Sequence, residues 1–310
     1  MKKLKLSKRN DDTANVLTVR SKSERVIYAI VFVVFLVYAL SLIYPLVYLF
    51  INSFQDKLTY TLNMMEGEKL FTLPKEWHFE NYQIALTGMT AVSSRGEFIY
   101  LPEMFFNSFW YCGISILGST FMNALVGYTM AKYNFKGREF IYAVAITFMT
   151  LPIVGTGGAA FKLTYDLGLY NTPMKVVISS LGSWGYHFLI MYGFFKNMSW
   201  NYAEAVFLDG GGHGTAFFKV MLPQATTLMV TLGIMSFIGV WNDYMGPLLY
   251  LPDYPTVASG IYEIKTSFSR NGNVPALYAG LILFCVPIII LFSFCSDTIM
   301  KNFTVGGLKG

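Results

Sequence analysis

Four consecutive residues near the end of a long apolar stretch carry side chains suited to a polyhydroxylated ligand. They are Trp241, Asn242, Asp243 and Tyr244. An aromatic ring can cover the C–H face of a sugar, while an amide and a carboxylate hydrogen-bond its hydroxyls. If the helix continues through this stretch, Trp241 and Tyr244 lie on the same side of it. An aromatic belt at a membrane surface would also collect Trp and Tyr, and both interpretations stay open.

The other ionisable residues do not form a catalytic or metal-binding cluster. The three histidines, His78, His187 and His213, fall in three different predicted compartments, and the three cysteines lie inside apolar segments. We therefore predict no catalytic residue, no metal site and no disulfide framework. His187 lies within an apolar segment, where it is either a pathway residue facing a polar cavity or a hydrogen-bonded packing residue.

Residues 201–223 form a polar stretch whose composition predicts a short helix, a turn and a second helix. Asn201 and Glu204 are spaced as a capping box at a helix start. Gly210 opens a run of three glycines that would end this helix, because glycine adopts the left-handed backbone of a sharp reversal. An amphipathic stretch then leads to Leu222 and Pro223, and proline suits the first turn of the next helix. The residues of the first helix predicted to pack are Tyr202, Ala205, Val206 and Leu208.

The elements that must position these residues are membrane helices. Of the 310 residues 54% are hydrophobic and only 13% charged, against about 25% charged in a soluble domain. This composition argues against a soluble enzyme. Each of six apolar windows exceeds the roughly 18 residues of a membrane span, so we predict an all-α membrane protein with six transmembrane helices. The windows are 26–51, 104–131, 140–161, 176–195, 220–242 and 276–296.

The distribution of basic residues predicts the orientation of these helices. Eight of the 23 Lys and Arg residues lie in positions 1–25, and alternate loops collect 15 on one side against 8 on the other. By the positive-inside rule the N- and C-termini are cytoplasmic. A basic arm can bind nucleic acid, but one that ends at an apolar segment is typical of a topology determinant, so we predict no nucleic-acid partner.

The loop at 201–223 resembles the hallmark loop of the permease subunits of binding-protein-dependent ABC importers. That loop has Glu-Ala-Ala, a glycine four residues later, and a final aliphatic residue before Leu-Pro. The present sequence matches this spacing with Glu204, Ala205, Val206, Gly210, Val220, Leu222 and Pro223. It departs from the pattern at Val206 and Val220, and at Gly211, where alanine is common. All three departures keep small or aliphatic character.

A second resemblance is to the carbohydrate branch of these permeases, the MalG type. The final residues 303–310 are similar to the tail of that branch, which reaches between two ATPase subunits. The pairs Tyr44-Pro45 and Asn107-Ser108 and the stretch 241–244 are similar as well. The tail residues that the resemblance places against the ATPases are Gly306, Gly307 and Lys309.

The resemblance implies a type I ABC importer permease fold in a bacterial plasma membrane. It implies a heterodimer with a homologous permease subunit, two cytoplasmic ATPase subunits and an extracytoplasmic solute-binding protein. ATP and magnesium would bind to the ATPases, and this chain would bind no cofactor, since its glycine-rich pieces lack the lysine of a phosphate loop. The implied coupling residues are Glu204, Ala205, Val206, Asp209, Gly210, Leu222 and Pro223.

The resulting organisation has five parts. They are a basic arm at 1–25, a first transmembrane helix at 26–51, an external loop at 52–102, a core permease domain at 103–301 with a coupling loop at 199–223, and a tail at 302–310. We expect the external loop to be a solvated loop with short helices, with a ligand-binding role as the alternative. Alternative functions are a type I permease for an amino acid or polyamine, an ion channel or carrier, and a membrane enzyme.

Overall fold

Helices dominate the structure, as the apolar windows predict. The computed structural model describes residues 22–65, 73–151, 155, 157–182, 184–268 and 272–305. Most of the basic arm and the tail residues Gly306, Gly307 and Lys309 lie outside the described residues. The chain divides into two compact units, residues 1–49 and residues 50–310.

The elements follow one another as helices interrupted by one small hairpin. The helices are α1 (Lys22–Asn52), α2 (Lys57–Met65), α3 (Glu80–Gly88), α4 (Leu101–Lys132), α5 (Arg138–Thr150), α6 (Gly157–Asp166), α7 (Pro173–Leu181), α8 (Tyr186–Asn197), α9 (Asn201–Leu208), α10 (His213–Thr215), α11 (Leu222–Trp241), α12 (Met245–Tyr250), α13 (Val257–Phe268) and α14 (Val274–Val305), with a π-helix at Ala216–Met221. The strands are β1 (Thr90–Val92) and β2 (Phe98–Tyr100).

The described part of the first unit is an apolar helix, α1. Its side chains from Ser23 to Val47 are exposed on all sides, and Val26, Phe32 and Phe35 each leave more than half of their surface uncovered. A helix that is apolar all round and 31 residues long is suited to cross a bilayer core of about 30 Å.

Four helices are long and apolar enough to cross a membrane: Ser23–Asn52, Leu101–Lys132, His213–Trp241 and Val274–Cys295. The predicted continuous helices at 140–161 and 176–195 are wrong, because each window contains two shorter helices. α5 ends at Thr150. The next residue, Leu151, has extended backbone and precedes a proline that disfavours the helical conformation. α7 ends at Leu181, just before Gly182, and α8 begins only after the extended residue Gly185.

Within the second unit, α4 and α8 approach each other closely because position 127 is a glycine. A Cβ at Gly127 would lie 2.9 Å from the Met191 Cβ and 3.0 Å from the Tyr192 backbone nitrogen. Glycine therefore removes the side chain that would separate the two helices. Around this crossing, Tyr128, Met191 and Phe195 form a buried core with residues of α9, the π-helix and α11.

The described residues of the predicted external loop, 52–65 and 73–102, form a packed subdomain. It contains two short helices, α2 and α3, as predicted, but its hairpin is buried in a core and not solvated. Its strands pair antiparallel, with Ala91 opposite Ile99, and both of these side chains are buried. They join one core with residues of α3, α4, α13 and α14. This burial was not predicted because the alternation in each strand is only three residues long, which is too short to recognise in the sequence.

The carboxylate of Asp253, a partly buried residue, connects this subdomain to two later loops. Asp253 Oδ1 accepts hydrogen bonds from Ser94 N at 2.9 Å and Ser94 Oγ at 2.5 Å, and Asp253 Oδ2 accepts one from Asn171 Nδ2 at 2.7 Å. Arg95 Nε lies 3.1 Å from the same Oδ2. Burial raises the pKa of Asp253, but these hydrogen bonds and the Arg95 charge outweigh it, so the pKa lies below 3.8.

Candidate coupling loop and ligand groove

The first helix of the coupling loop, α9, begins without the predicted capping box. The backbone N–H groups of Ala203 and Glu204 donate to the Trp200 carbonyl at 2.8 and 3.2 Å, so Asn201 is already inside the helix. No side chain caps α9 at Trp200. Instead, Ser199 Oγ accepts a hydrogen bond from the Asn201 N–H at 3.3 Å. The predicted capping box of Asn201 and Glu204 is therefore wrong, because the residue that precedes the helix is Trp200 and not Asn201.

The face of α9 that packs on the bundle is not the predicted one. Ala203 is fully buried, and Val206 and Phe207 are half-buried. Because residues three and four apart share a helix face, these three residues form the side that packs on the bundle. The remaining residues of α9 and its end, including three that were predicted to pack, are exposed: Tyr202, Glu204, Ala205, Leu208 and Asp209.

The turn after α9 follows the glycine prediction. Gly210 has a φ of +79°, its N–H donates to the Phe207 carbonyl at 3.0 Å, and the Gly211 N–H donates to the Val206 carbonyl at 2.8 Å. This pair of hydrogen bonds around a left-handed glycine is a Schellman motif, which ends a helix and reverses the chain.

The second helix of the loop continues into the membrane helix, so Pro223 does not begin a separate element. The helix runs unbroken from His213 to Trp241, and its π-helical part ends just before Leu222 and Pro223. Proline has no N–H and its ring crowds the carbonyl four residues earlier. In a π-helix each N–H bonds to the carbonyl five residues earlier instead of four. We infer that this change of hydrogen-bond partner accommodates the proline.

Aromatic side chains fix the coupling loop to the bundle. Tyr128 of α4 packs against Phe217 of the π-helix, with ring centroids 4.9 Å apart, and against Phe195 of α8 at 5.4 Å. Tyr133 Oη lies 2.9 Å from His213 Nδ1. The sequence analysis did not identify these anchoring residues, because a Tyr or Phe in an apolar segment gives no signal that separates it from ordinary core.

The candidate pathway residues are not brought together as a single site. α11 ends at Trp241, so the helical spacing that placed Trp241 and Tyr244 on one side does not hold. Trp241 is 1% exposed. Its ring stacks with Phe237 at 5.3 Å and Phe284 at 5.8 Å, and its Nε1 donates to the Phe284 carbonyl. The Trp241 ring is therefore part of the core in this conformation.

Asp243 is used in a structural role. Its Oδ2 accepts a hydrogen bond from Tyr111 Oη at 2.8 Å, and its Oδ1 accepts one from the Gly246 N–H at 2.9 Å. The second bond satisfies a backbone donor in the first turn of α12. His187 is half-buried and reaches Ser236 Oγ of α11 at 3.5 Å, which agrees with the packing interpretation of this histidine.

Asn242 and Tyr244 line a shallow groove of about 220 Å³ together with Tyr262 and Lys265 of α13. We call it the Tyr244 groove. The rings of Tyr244 and Tyr262 are stacked, with centroids 4.6 Å apart and an interplanar angle of 23°. The groove offers an aromatic surface with an amide and an ammonium group beside it. Tyr262 and Lys265 were not predicted, because they follow Tyr244 by 18 and 21 residues and only the fold brings them close.

No group of three His, Cys, Asp or Glu side chains able to hold a metal ion occurs among the described residues. The side chains in the coupling loop likewise supply no nucleophile and base in contact. The geometry of this loop is suited to contact another protein: one face is anchored to the bundle, and the other is exposed and carries apolar and acidic groups.

Comparisons with known proteins match these features. The family model described as "Binding-protein-dependent transport system inner membrane component" matches residues 123–304. The chain is 26% identical over 278 residues to the diacetylchitobiose uptake system permease protein NgcG of Streptomyces coelicolor, covering 88% of this chain and 86% of that protein. It is 26% identical over 279 residues to the maltose/maltodextrin permease protein MalG of Vibrio vulnificus, covering 87% and 91%.

A solved structure has a similar fold. The crystal structure of a bacterial ABC transporter involved in the import of the acidic polysaccharide alginate aligns with a TM-score of 0.73 and 20% identity. The alignment covers 90% of this chain and 99% of the matched chain. The similarity of fold therefore extends beyond the residues of the family match to most of the chain.

Proposed function

The chain belongs to the family of inner membrane components of binding-protein-dependent transport systems, and from this premise we propose that it imports a sugar or oligosaccharide as one permease subunit of an ATP-driven complex. As a permease subunit it is a multi-pass plasma-membrane protein and not an enzyme. The observation that carries the proposal is the two-faced helix α9, anchored on one side and exposed on the other.

The carbohydrate assignment rests on the relatives and on the Tyr244 groove. Proteins similar over most of this chain are named for diacetylchitobiose and maltodextrin transport. The stacked Tyr244 and Tyr262 rings provide a flat aromatic surface of the kind that covers a sugar ring. A polyamine would need carboxylates, and the described residues that line the groove include Lys265 but no Asp or Glu. None of the relatives named above is an amino acid transporter. A carbohydrate is therefore favoured over these alternatives.

We propose six membrane crossings with both termini in the cytoplasm. α5 has 13 residues, which gives about 20 Å of helix, less than the bilayer core. Two half-length helices can together complete one crossing, α5 with α6 and α7 with α8, where protein or a polar cavity covers the break. With the four long helices this makes an even number of crossings, and the basic residues then place both ends inside.

The partners follow from the family. A binding-protein-dependent importer works with a solute-binding protein and with ATPase subunits, which bind the ATP. We propose in addition a homologous second permease, two ATPase subunits holding ATP and magnesium, and contacts from Gly306, Gly307 and Lys309 to those ATPases. This chain supplies the membrane pathway and the coupling surface.

The coupling mechanism uses residues already described. The exposed face of α9, with Tyr202, Ala205 and Leu208, would enter a groove on an ATPase subunit, where the small Ala205 permits close approach. The buried face and the Tyr128–Phe217 contact join α9 to α4 and α11. A displacement of α9 would therefore move these helices as one body, which is a rigid-body route between inward-open and outward-open states.

A charge introduced on the exposed face tests the proposal. Leu208 is 89% exposed, so Leu208→Asp leaves the fold intact. If Leu208 is a central contact, the variant should lower ATPase association by at least about tenfold. Phe135→Asp is the matched control, since Phe135 is also an exposed apolar residue at this end of the bundle.

Two results would contradict the assignment. One is normal ATPase co-purification and normal uptake with Leu208→Asp. The other is ATP turnover by this chain purified without ATPase subunits, since a permease subunit supplies no ATP chemistry.

A further inference from the structure

A polar cavity of about 340 Å³ lies where the ends of three helices meet, and it shares no lining residue with the Tyr244 groove. It is lined by Met130 from the last turn of α4, by three residues of the first turns of α5, and by two from the last turns of α8. The charged and aromatic members are Arg138, Glu139, Tyr142, Tyr192 and Lys196. Its volume is within the range of small-ligand sites.

The charged groups of this cavity lack an ion-pair partner in the described part of the chain. No ion pair involves Arg138, Glu139 or Lys196 among the residues that the structure describes. Tyr142 and Tyr192 pack with ring centroids 4.8 Å apart, and the Lys196 Nζ lies 5.6 Å from the Tyr192 ring centroid. Two cationic groups and one carboxylate therefore surround a space with an aromatic wall.

The position of the cavity corresponds to the surface of a bilayer. The long apolar helix α4 ends at Lys132, two residues after Met130, and α5 begins at Arg138. Charged groups at the end of an apolar span lie at the depth of lipid headgroups. A ligand of this cavity can therefore come from the membrane itself.

A second cavity on α5 is apolar. It has a volume of about 290 Å³ and is lined by Phe140, Val144 and Phe148 of α5 and by Trp184. Phe140 and Phe148 are exposed by 73% and 61%. α5 thus carries a charged cavity at its first turn and an apolar groove along its remaining length. A phospholipid has the same arrangement, with a charged headgroup joined to apolar acyl chains.

We propose that these two cavities bind one phospholipid whose headgroup contains both a phosphate and a primary amine, as in phosphatidylethanolamine. Arg138 and Lys196 hold the phosphate as hydrogen-bonded cations. Glu139 and the tyrosine rings receive the ammonium group. The apolar groove takes an acyl chain, and this groove distinguishes a lipid from a free phosphate. The inference requires only that the chain lies in a membrane.

The test uses the assembled transporter in nanodiscs with equal amounts of phosphatidylethanolamine, phosphatidylglycerol and phosphatidylcholine. Native mass spectrometry then reports which lipids stay bound. We expect the amine lipid to be enriched in the wild type, and Arg138→Gln and Lys196→Gln each to lower its retention about fivefold. Lys136→Gln is the matched control. Lys136 is an exposed cation in the loop between α4 and α5, and it does not line the cavity. This variant should leave retention unchanged.

Glu139→Gln tests the amine preference separately. It should abolish the enrichment of phosphatidylethanolamine over phosphatidylglycerol while the total bound lipid stays constant. Equal retention of all three headgroups by the wild type, or equal retention by Lys196→Gln and Lys136→Gln, would overturn the proposal. Stabilisation of delipidated complex by inorganic phosphate to the same degree as by the lipid would also overturn it. ATPase co-purification in the same samples checks assembly, so a failure here leaves the transport function unaffected.

Discussion

The side chain of Val206 occupies the space that a side chain at position 211 would need. A Cβ built on Gly211 would lie 2.5 Å from the Val206 Cγ1, and the Gly211 N–H donates to the Val206 carbonyl at 2.8 Å. Both positions depart from the family's loop pattern, which has alanine at each. A larger residue at 206 is thus paired with a smaller one at 211, so the two departures compensate each other in volume.

This pairing predicts a coupled effect of substitutions. Gly211→Ala overfills the turn and should destabilise the coupling loop by roughly 1–3 kcal/mol. Val206→Ala in the same chain removes the Cγ1 contact and should recover part of the loss. Recovery is partial because the Val206 carbonyl oxygen also lies 2.9 Å from the added Cβ. Thermal midpoints of the purified complex for both single variants and the double variant measure the coupling. Strictly additive shifts would exclude it.

The turn itself predicts a contrast between two neighbouring proline substitutions. Gly210 has a φ of +79°, whereas proline requires a φ near about −65°. Gly210→Pro should therefore abolish uptake while the helices still insert into the membrane. Gly212 has a φ of −92° and open space around its Cβ, so Gly212→Pro should retain most of the uptake. Uptake assays with expression of each variant matched by immunoblot compare the two. Equal loss in both variants would mean that the turn geometry is not the cause.

The sequence was sufficient to predict the coupling loop as a helix, a glycine turn and a second helix, because these elements depend on local residue types. It could not predict which face of α9 is exposed. Ala203 is buried and Leu208 exposed because α4, α8 and the π-helix cover one side of α9, and that arrangement depends on contacts between distant segments.

Two further differences have physical causes of the same kind. Hydropathy predicted continuous helices at 140–161 and 176–195 but not the interruptions after Thr150 and Leu181, since an average over a window does not register a single proline or glycine. A helical wheel placed Trp241 beside Tyr244, but a wheel assumes that the helix continues, and α11 ends at Trp241.

Asp253 and Asn171 are joined by two hydrogen bonds: Asn171 Nδ2 donates to Asp253 Oδ2 at 2.7 Å, and the Asp253 N–H donates to Asn171 Oδ1 at 3.0 Å. The bonds to the Asp253 carboxylate predict a defined dependence of stability on pH. Asp253→Asn should destabilise the complex by roughly 2 kcal/mol, because a charged hydrogen-bond acceptor is lost. The pKa of Asp253 is lowered below 3.8, so its stabilisation is complete above that value and declines only as the pH falls through the lowered pKa. The difference in stability between variant and wild type should thus be the same at about pH 5 and pH 8.

Asp166→Asn is the control, since this exposed carboxylate at the end of α6 lies outside the network. A difference that grew between pH 8 and pH 5 would contradict the direction of the pKa shift.

Trp241 and Tyr244 are three residues apart, and their substitutions should give opposite patterns. Trp241 is a fully buried aromatic residue, so Trp241→Ala should destabilise the complex by roughly 3–5 kcal/mol and lower uptake only through lost protein. Tyr244 is 38% exposed in its groove, so Tyr244→Ala should leave the thermal midpoint nearly unchanged and raise the sugar concentration needed for half-maximal uptake.

Two control variants test the role of the Tyr244 ring. Tyr244→Phe keeps the ring and should restore most of the affinity, whereas Tyr165→Ala, at an exposed tyrosine outside the groove, should have no effect. Initial uptake rates at several sugar concentrations, normalised to assembled complex, separate the two patterns. If Tyr244→Ala and Tyr165→Ala transport alike, the Tyr244 groove does not contact the substrate, and the pathway lies elsewhere in the bundle or on the partner permease.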